Sequence, residues 1–378
     1  MPKVAASSLS AHLAQVPDPR IDRTKRHALL AILAIAVCAV LAGADDWVAI
    51  AAFGRIKRAW FKRWLPLPNG IPSHDTFRRV FLLLDSDAFA EAFRAWVQSI
   101  AQLAAQQGIA IDGKTLRRSH DAAEGQSAIS MVSAWATANR LVLGQLKVDD
   151  KSNEIKAIPE LLRVLELSGC IVTIDAIGCQ TDIAKTIVAR GGDYLLAVKG
   201  NQAGLHQELQ DLFADAASLR FKGVLHDHCK QTDKGHGRLE IRHCWTIADP
   251  DYLRCIQRLA AWPGLQTLVK LDCERRTERG TTYETRYFIS SLPNDAHLAL
   301  RSARGHWGIE NQLHWVLDMA FREDESRLRK GNGAENFAML RHIALNLLQR
   351  ETTAKMGVKN KRLRAGWDPD YLFTLLTQ

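Results

Sequence analysis

Two short apolar runs, Ile109-Ala110-Ile111-Asp112 and Cys170-Ile171-Val172-Thr173-Ile174-Asp175, each end in an aspartate. Runs of this length between turn signals read as buried strands. Carboxylates at the carboxyl ends of neighbouring buried strands can converge on one point outside the sheet edge. Further strands are expected at 129–137, 141–148 and 194–198, with helices at 154–167 and 181–189. This alternation predicts an α/β sheet with helices packed on it.

Before Gly108 the text is helical. The uncharged run from Ala28 to Ala44 follows Arg23, Lys25 and Arg26 and ends Ala42-Gly43-Ala44-Asp45, imitating a secretory signal. Its approach is too long and contains Asp18 and Asp22, and the run falls short of the ~18–20 residues a membrane span wants. A buried helix is therefore expected, and no membrane anchor. Phe77, Val80, Phe81 and Leu84 recur at helical spacing after Ser73 or Asp75 as a cap. Between 235 and 291 the text is mainly β, and from 297 to 350 it is helical again.

Seven cysteines, an odd number with no CxxC pair, point to reduced thiols in a cytosolic protein rather than a disulfide framework. A formal charge of +9 directs attention to a polyanionic partner and decides nothing alone.

An acid after one strand is ordinarily a turn residue or a helix cap. Two in this context, with a third available, suit a different task. Hard cations such as Mg2+ prefer oxygen ligands, and phosphoryl displacement on two such ions needs about three carboxylates. Glu310 is the third candidate: His306, Glu310 and His314 are four apart, a spacing that lines one helical face. A zinc hydrolase using the same three residues lacks the His-Glu-x-x-His spacing.

The strings Ala110-Ile-Asp-Gly-Lys-Thr-Leu-Arg117, Thr173-Ile-Asp-Ala-Ile-Gly-Cys-Gln180, Ala197-Val-Lys-Gly-Asn-Gln202, Gly235-His-Gly-Arg-Leu-Glu-Ile-Arg242 and the segment 306–321 resemble the H-repeat-associated branch of bacterial insertion-sequence transposases. Ile71-Pro-Ser-His-Asp-Thr-Phe-Arg78 is similar to the helical domain that precedes the catalytic one there. The resemblance covers nearly the whole chain. It implies an RNase H-like α/β catalytic core over residues 108–350, a β-rich insertion at about 203–296, a helical N-terminal domain over 1–107 and a tail over 351–378. It also implies a DDE triad of Asp112, Asp175 and Glu310, binding Mg2+ with Mn2+ as a substitute. Double-stranded DNA, both transposon ends and target, is the implied partner of a cytoplasmic, nucleoid-associated homodimer. Related transposases carry Tyr seven and Arg four residues before the glutamate, and Lys seven after it; here Ala303, His306 and Leu317 stand there. Arg301, Arg304 or His314 are the candidates to grip phosphate instead.

Other phosphate contacts are expected from Lys114 and Arg117, from Lys199 after a strand, from Arg238 beside two glycines, and from His306 and Arg327. For the basic clusters a solvated face is the alternative. Arg55, Lys57, Arg58, Lys62 and Arg63 sit among Trp60, Phe61 and Trp64, either as a DNA-binding face or as the wet side of a helix whose tryptophans face the core. His226, His228, Cys229, His236, His243 and Cys244 crowd together without the spacing of a zinc finger. A nuclease of the same fold and a DNA-binding protein with a degenerate core are the functional alternatives.

Overall fold

The computed structural model describes residues 8–101, 106–116, 118–119, 128–148, 154–235 and 237–377. Its first part makes six helices: α1 (Ser8–Leu13), α2 (Leu29–Leu41), α3 (Trp47–Ile56), α4 (Arg58–Phe61), α5 (His74–Leu83) and α6 (Ser86–Ile100). Asp46, Ser73 and Asp85 accept backbone N–H groups at the starts of α3, α5 and α6, satisfying donors that a helix start leaves open. α2 is apolar on every side and almost wholly buried. Among the described residues no helix is long and apolar enough to cross a membrane. Trp60 and Phe61 are buried while Arg55, Arg58, Lys62 and Arg63 are exposed, so the aromatics serve the core and the cations face outward.

The strands are β1 (Gly108–Thr115), β2 (Ser130–Ala136), β3 (Leu141–Val148), β4 (Ile171–Ile174), β5 (Asp193–Val198), β6 (His226–Gly235), β7 (Arg238–Ile247), β8 (Thr267–Thr277) and β9 (Gly280–Ser290). They form one mixed sheet in the order β3-β2-β1-β4-β5-β9-β8-β7-β6. β1, β4 and β5 are parallel; every other pairing is antiparallel. α7 (Glu154–Val164) links β3 to β4, and α8 (Thr181–Ala189) links β4 to β5. The stretch expected to be inserted and mainly β opens with α9 (Ala203–Ser218), holds the short α10 (Pro250–Arg254), and adds β6 to β9 to the same sheet through β9 on β5. β6 was not expected from its sequence, because of its ten residues only Cys229 is buried.

After the sheet come α11 (Ala296–Gly308), a π-helical segment (Ile309–His314), α12 (Trp315–Phe321) and α13 (Gly333–Arg350). α13 is buried along most of its length and joins the helical part to the sheet. Asn336 donates to the carbonyls of Phe81 and Leu84, both at 2.9 Å, and Asn346 exchanges two backbone bonds with Val142 of β3, at 2.8 and 2.9 Å. Residues 351–378, expected as a tail, fold into α14 (Val358–Trp367) and α15 (Pro369–Leu376) against α2, α12 and α13. The reason lies in buried cations: Lys361 and Arg362 reach the backbone carbonyls of Leu348 and Val40 at 2.9 and 2.8 Å.

Candidate active site

Parallel pairing of β1 with β4 ends at Ile111 opposite Ile174. The next residues, Asp112 within β1 and Asp175 just past the end of β4, therefore sit at the same level, where the parallel pairing stops while β1 continues beside β2 to Thr115. Asp175 is exposed and caps the turn Ala176–Gly178, accepting the N–H of Ile177 at 3.1 Å. Asp112 is half-buried and accepts the N–H of Gly113 at 2.9 Å. Burial raises the Asp112 pKa to about 7, helped by the charges of Asp175, Glu310 and Glu154 and opposed by the Gly113 bond. The other two expected acids, Asp175 and Glu310, thus both act on Asp112.

Glu154 was not foreseen. An acid at the first turn of a helix usually needs no explanation beyond the helix dipole. Here it is buried, and its carboxylate fills the space beside Gly113, where a Cβ would lie 2.6 Å from Oε1.

Glu310 belongs to the π-helical segment, whose widened turn changes the expected geometry. His306, Glu310 and His314 do not share one face. Glu310 is exposed, whereas both histidines turn inward and fasten the helix to the two aspartate-bearing strands. His306 Nδ1 lies 3.2 Å from Thr173 Oγ1 on β4, and His314 Nδ1 lies 3.5 Å from Asp112 Oδ2 on β1. Burial lowers the pKa of each, that of His314 to about 4 with help from Lys114, so both rings are neutral at pH 7. Glu310 is held between two neutral contacts, over the end of the β1–β4 pair.

Comparison with known proteins gives the family. The model of the Transposase DDE domain family matches residues 104–347, and that of its associated domain matches residues 10–97. The chain belongs to the DDE transposase family. It is 40% identical over 374 residues to the "H repeat-associated putative transposase YhhI" of Escherichia coli K12, covering 97% of each chain. With the "Putative transposase YncI" of Escherichia coli O157:H7 it shares 41% identity over 377 residues, 99% of this chain and 95% of that one. A piggyBac transposase solved as a synaptic complex with hairpin DNA overlaps at a TM-score of 0.44 and 10% identity, covering 98% of this chain and 79% of that one.

The remaining expected residues of this transposase fall into two groups. Lys114, His306 and His314 are corrected as phosphate contacts because they turn into the protein: Nδ1 of each histidine meets a strand side chain, His314 Nε2 is buried without a hydrogen-bond partner, and the Lys114 ammonium meets acids. Lys114 Nζ bonds Glu323 Oε2 at 2.9 Å and also pairs with Asp318. By contrast Lys199, Arg238, Arg304 and Arg327 are exposed, and Arg117 lies outside the described residues. Arg238 and Arg304 line a cavity of about 450 Å³ between the β7–β9 face and α11, together with Arg286 and Trp307. Each of these two arginines already meets an acid, Glu240 at 3.2 Å and Asp233 at 3.1 Å. Asn201 reaches the carbonyl of Ala176, tying the loop after β5 to the Asp175 turn. Of the residues that stand at the Tyr, Arg and Lys positions, Ala303 and Leu317 are core positions.

All seven cysteines are free thiols. Among the described residues no three His, Cys, Asp or Glu side chains close around one ion. His228 and His243 instead stack with Trp245 on the β6–β7 surface, and His236 lies outside the described residues.

Gly178 offers a test of the Asp175 turn. A Cβ there would stand 2.2 Å from Ile174 Cγ2, inside the core. Gly178→Ala is expected to lower stability by ~1–3 kcal/mol through overpacking and to displace Asp175. Denaturant unfolding and a cleavage assay read both effects; an unchanged midpoint would contradict the close packing.

Proposed function

We propose that Asp112, Asp175 and Glu310 form the triad with which this transposase cuts DNA at the ends of an insertion sequence and joins it to target DNA. One observation carries the assignment: the β1–β4 register brings Asp112 and Asp175 level, and the π segment that carries Glu310 is tied to Asp112 through His314, so that the charges of Asp175 and Glu310 both bear on Asp112. A donor set of carboxylate oxygens suits Mg2+, with Mn2+ as a substitute. Asp112, Asp175 and Glu310 would hold the divalent ions, which would supply Lewis acidity for an in-line phosphoryl displacement. The strand order β3-β2-β1-β4-β5, with β1, β4 and β5 parallel, supports an RNase H-like core.

In the first step water attacks a phosphorus, the P–O3′ bond breaks and a 3′-OH is left on the element. In the second that hydroxyl attacks a target phosphorus and displaces the target 3′ oxygen. Glu310, exposed on the helix and near enough for its charge to act on Asp112, would meet the scissile phosphate together with the two aspartates. Lys199, Arg238, Arg304 and Arg327, all exposed, are the residues we assign to the DNA backbone, whose charge dominates affinity, and Arg117, outside the described residues, is assigned to it from the sequence. A division into residues 1–107, 108–350 with a β-rich insertion, and a C-terminal segment fits this reading. So does action on double-stranded DNA as a homodimer in the cytoplasm, at the nucleoid.

The test is cleavage and strand transfer on labelled DNA carrying the repeats that flank the encoding locus. Cut and joined products are expected with Mg2+ or Mn2+, none with EDTA, and none from Glu310→Ala, which still binds. Cutting without joining would make the protein a nuclease. Binding without cutting under either metal would leave a degenerate DNA-binding protein.

A further inference from the structure

We propose that Lys114 is a positioning residue: it locks the π segment carrying Glu310 against the strand carrying Asp112, and takes no part in gripping DNA. This rests on the triad reading above. Lys114 follows Asp112 by two residues on β1, so both side chains leave the same face of the strand. Its ammonium nevertheless ends away from the acids of the triad, on Asp318 of α12 and on Glu323, 2.9 Å from Oε2. The carbonyl of His314, the last residue of the π segment, lies 3.5 Å from the same nitrogen. One cation therefore holds the end of that segment, the helix after it and the turn beyond.

The turn is built for this contact. Arg322 adopts φ 51°, in the left-handed region, and so turns the chain after α12 back toward β1. Such a backbone is uncommon for a residue with a Cβ and persists where surroundings enforce it. Glu323 enters the core there, and Arg341 Nη1 of α13 lies 3.6 Å from its second oxygen. Burial would raise the Glu323 pKa, but the charges of Lys114 and Arg341 outweigh it and keep the carboxylate ionised. Two cations and two carboxylates thus neutralise one another beneath the site.

Two consequences follow from that neutrality. Lys114 has no unmet charge to offer a phosphate. It also does not quench the negative charge of Asp112, Asp175 and Glu310, which a divalent cation needs. Loss of the lock removes the charged anchor at the end of the π segment and leaves Glu310 on a helix held by apolar packing and neutral histidine contacts, and a misplacement of ~1 Å can cost about 10²-fold in rate.

The experiment compares Lys114→Met and Asp318→Asn with wild type. Affinity for the end DNA is measured in EDTA across salt concentrations, and single-turnover cleavage in Mg2+. Lys114→Met is expected to bind with unchanged Kd and salt slope and to cleave about 10²-fold more slowly. Asp318→Asn, which removes one arm at a partly exposed position, is expected to cleave about 10-fold more slowly with the same binding. If Lys114→Met does not fold, Asp318→Asn decides alone. A weaker Kd with a salt slope reduced by about one would place Lys114 on a phosphate, and wild-type cleavage in Asp318→Asn would remove the lock. Either result overturns the proposal. Cleavage retained by Glu310→Ala would instead sink the triad reading and is scored separately.

Discussion

Asp112→Asn is expected to abolish strand cleavage and, at the same time, to raise the thermal midpoint of the metal-free protein. Both effects come from crowding. Folding brings Asp112 into a half-buried site facing Asp175, Glu310 and Glu154, and its pKa rises from 3.8 to about 7. An acid whose pKa rises on folding holds its proton more tightly in the folded chain. Its contribution to stability is therefore complete below pH 3.8 and is lost as pH climbs through about 7. At 1.36 kcal/mol per pH unit the folded state gives up on the order of 2–4 kcal/mol by pH 8, reduced where solvent screens the group. Asparagine keeps an oxygen for the Gly113 N–H and carries no charge, so the metal-free variant should melt higher than wild type at pH 8 and at about the same temperature at pH 4. Mg2+ should raise the wild-type midpoint by mass action and leave Asp112→Asn nearly unmoved. Melting curves at the two pH values, with and without Mg2+, check this. A variant less stable than wild type at pH 8 would show that the acids are not crowded.

This conflict between stability and chemistry was partly legible in the residues. Ile109–Asp112 and Ile171–Asp175 announce themselves because a buried parallel strand must be apolar, and an acid at its end stands out. α8 falls at Thr181–Ala189 as expected, bounded by a polar start and the Gly191-Gly192 pair. β8 and β9 run further than their apolar signal. Within the stretch expected to be mainly β, the apolar part of β8 ends at Leu271 but the strand continues to Thr277, because the arm leaves the core and its outer half is charged. β6 and α9 share that difficulty, with few buried positions to mark them. The π segment has no composition of its own; it differs from an α-helix only in which carbonyl each N–H reaches. Lys114 looked like a phosphate contact because its neighbours in sequence are what a reader sees. Its partners, Asp318 and Glu323, lie 204 and 209 residues away.

The same limitation hid the role of the C-terminal residues, where Lys359-Asn360-Lys361-Arg362-Leu363-Arg364 reads as a solvated charged run. Arg362→Ala is expected to be among the most destabilising single changes in the chain. The guanidinium is buried and spans three elements. It donates to the Val40 carbonyl at 3.0 and 2.8 Å from Nε and Nη2, and to Asp45 Oδ1 at 3.0 Å. Nη1 reaches the Ala320 carbonyl, and the planar group lies 4.2 Å from the centre of the Phe321 ring. Val40 is near the C-terminus of α2, where carbonyls lack intrahelical partners and a cation is favoured. Truncation would take the charged donor from Ala320, from Asp45 and from Val40, whose carbonyl keeps the Gly43 N–H at 3.2 Å, at a cost of about 3–5 kcal/mol, and lower the thermal midpoint by on the order of 5–10 °C. Arg362→Lys should recover only part of this, since one ammonium cannot replace a planar fork. Because α12 continues the helix that carries Glu310, cleavage by Arg362→Ala should fail at a lower temperature than wild type while remaining measurable in the cold. An unchanged midpoint would return these residues to the role of a tail.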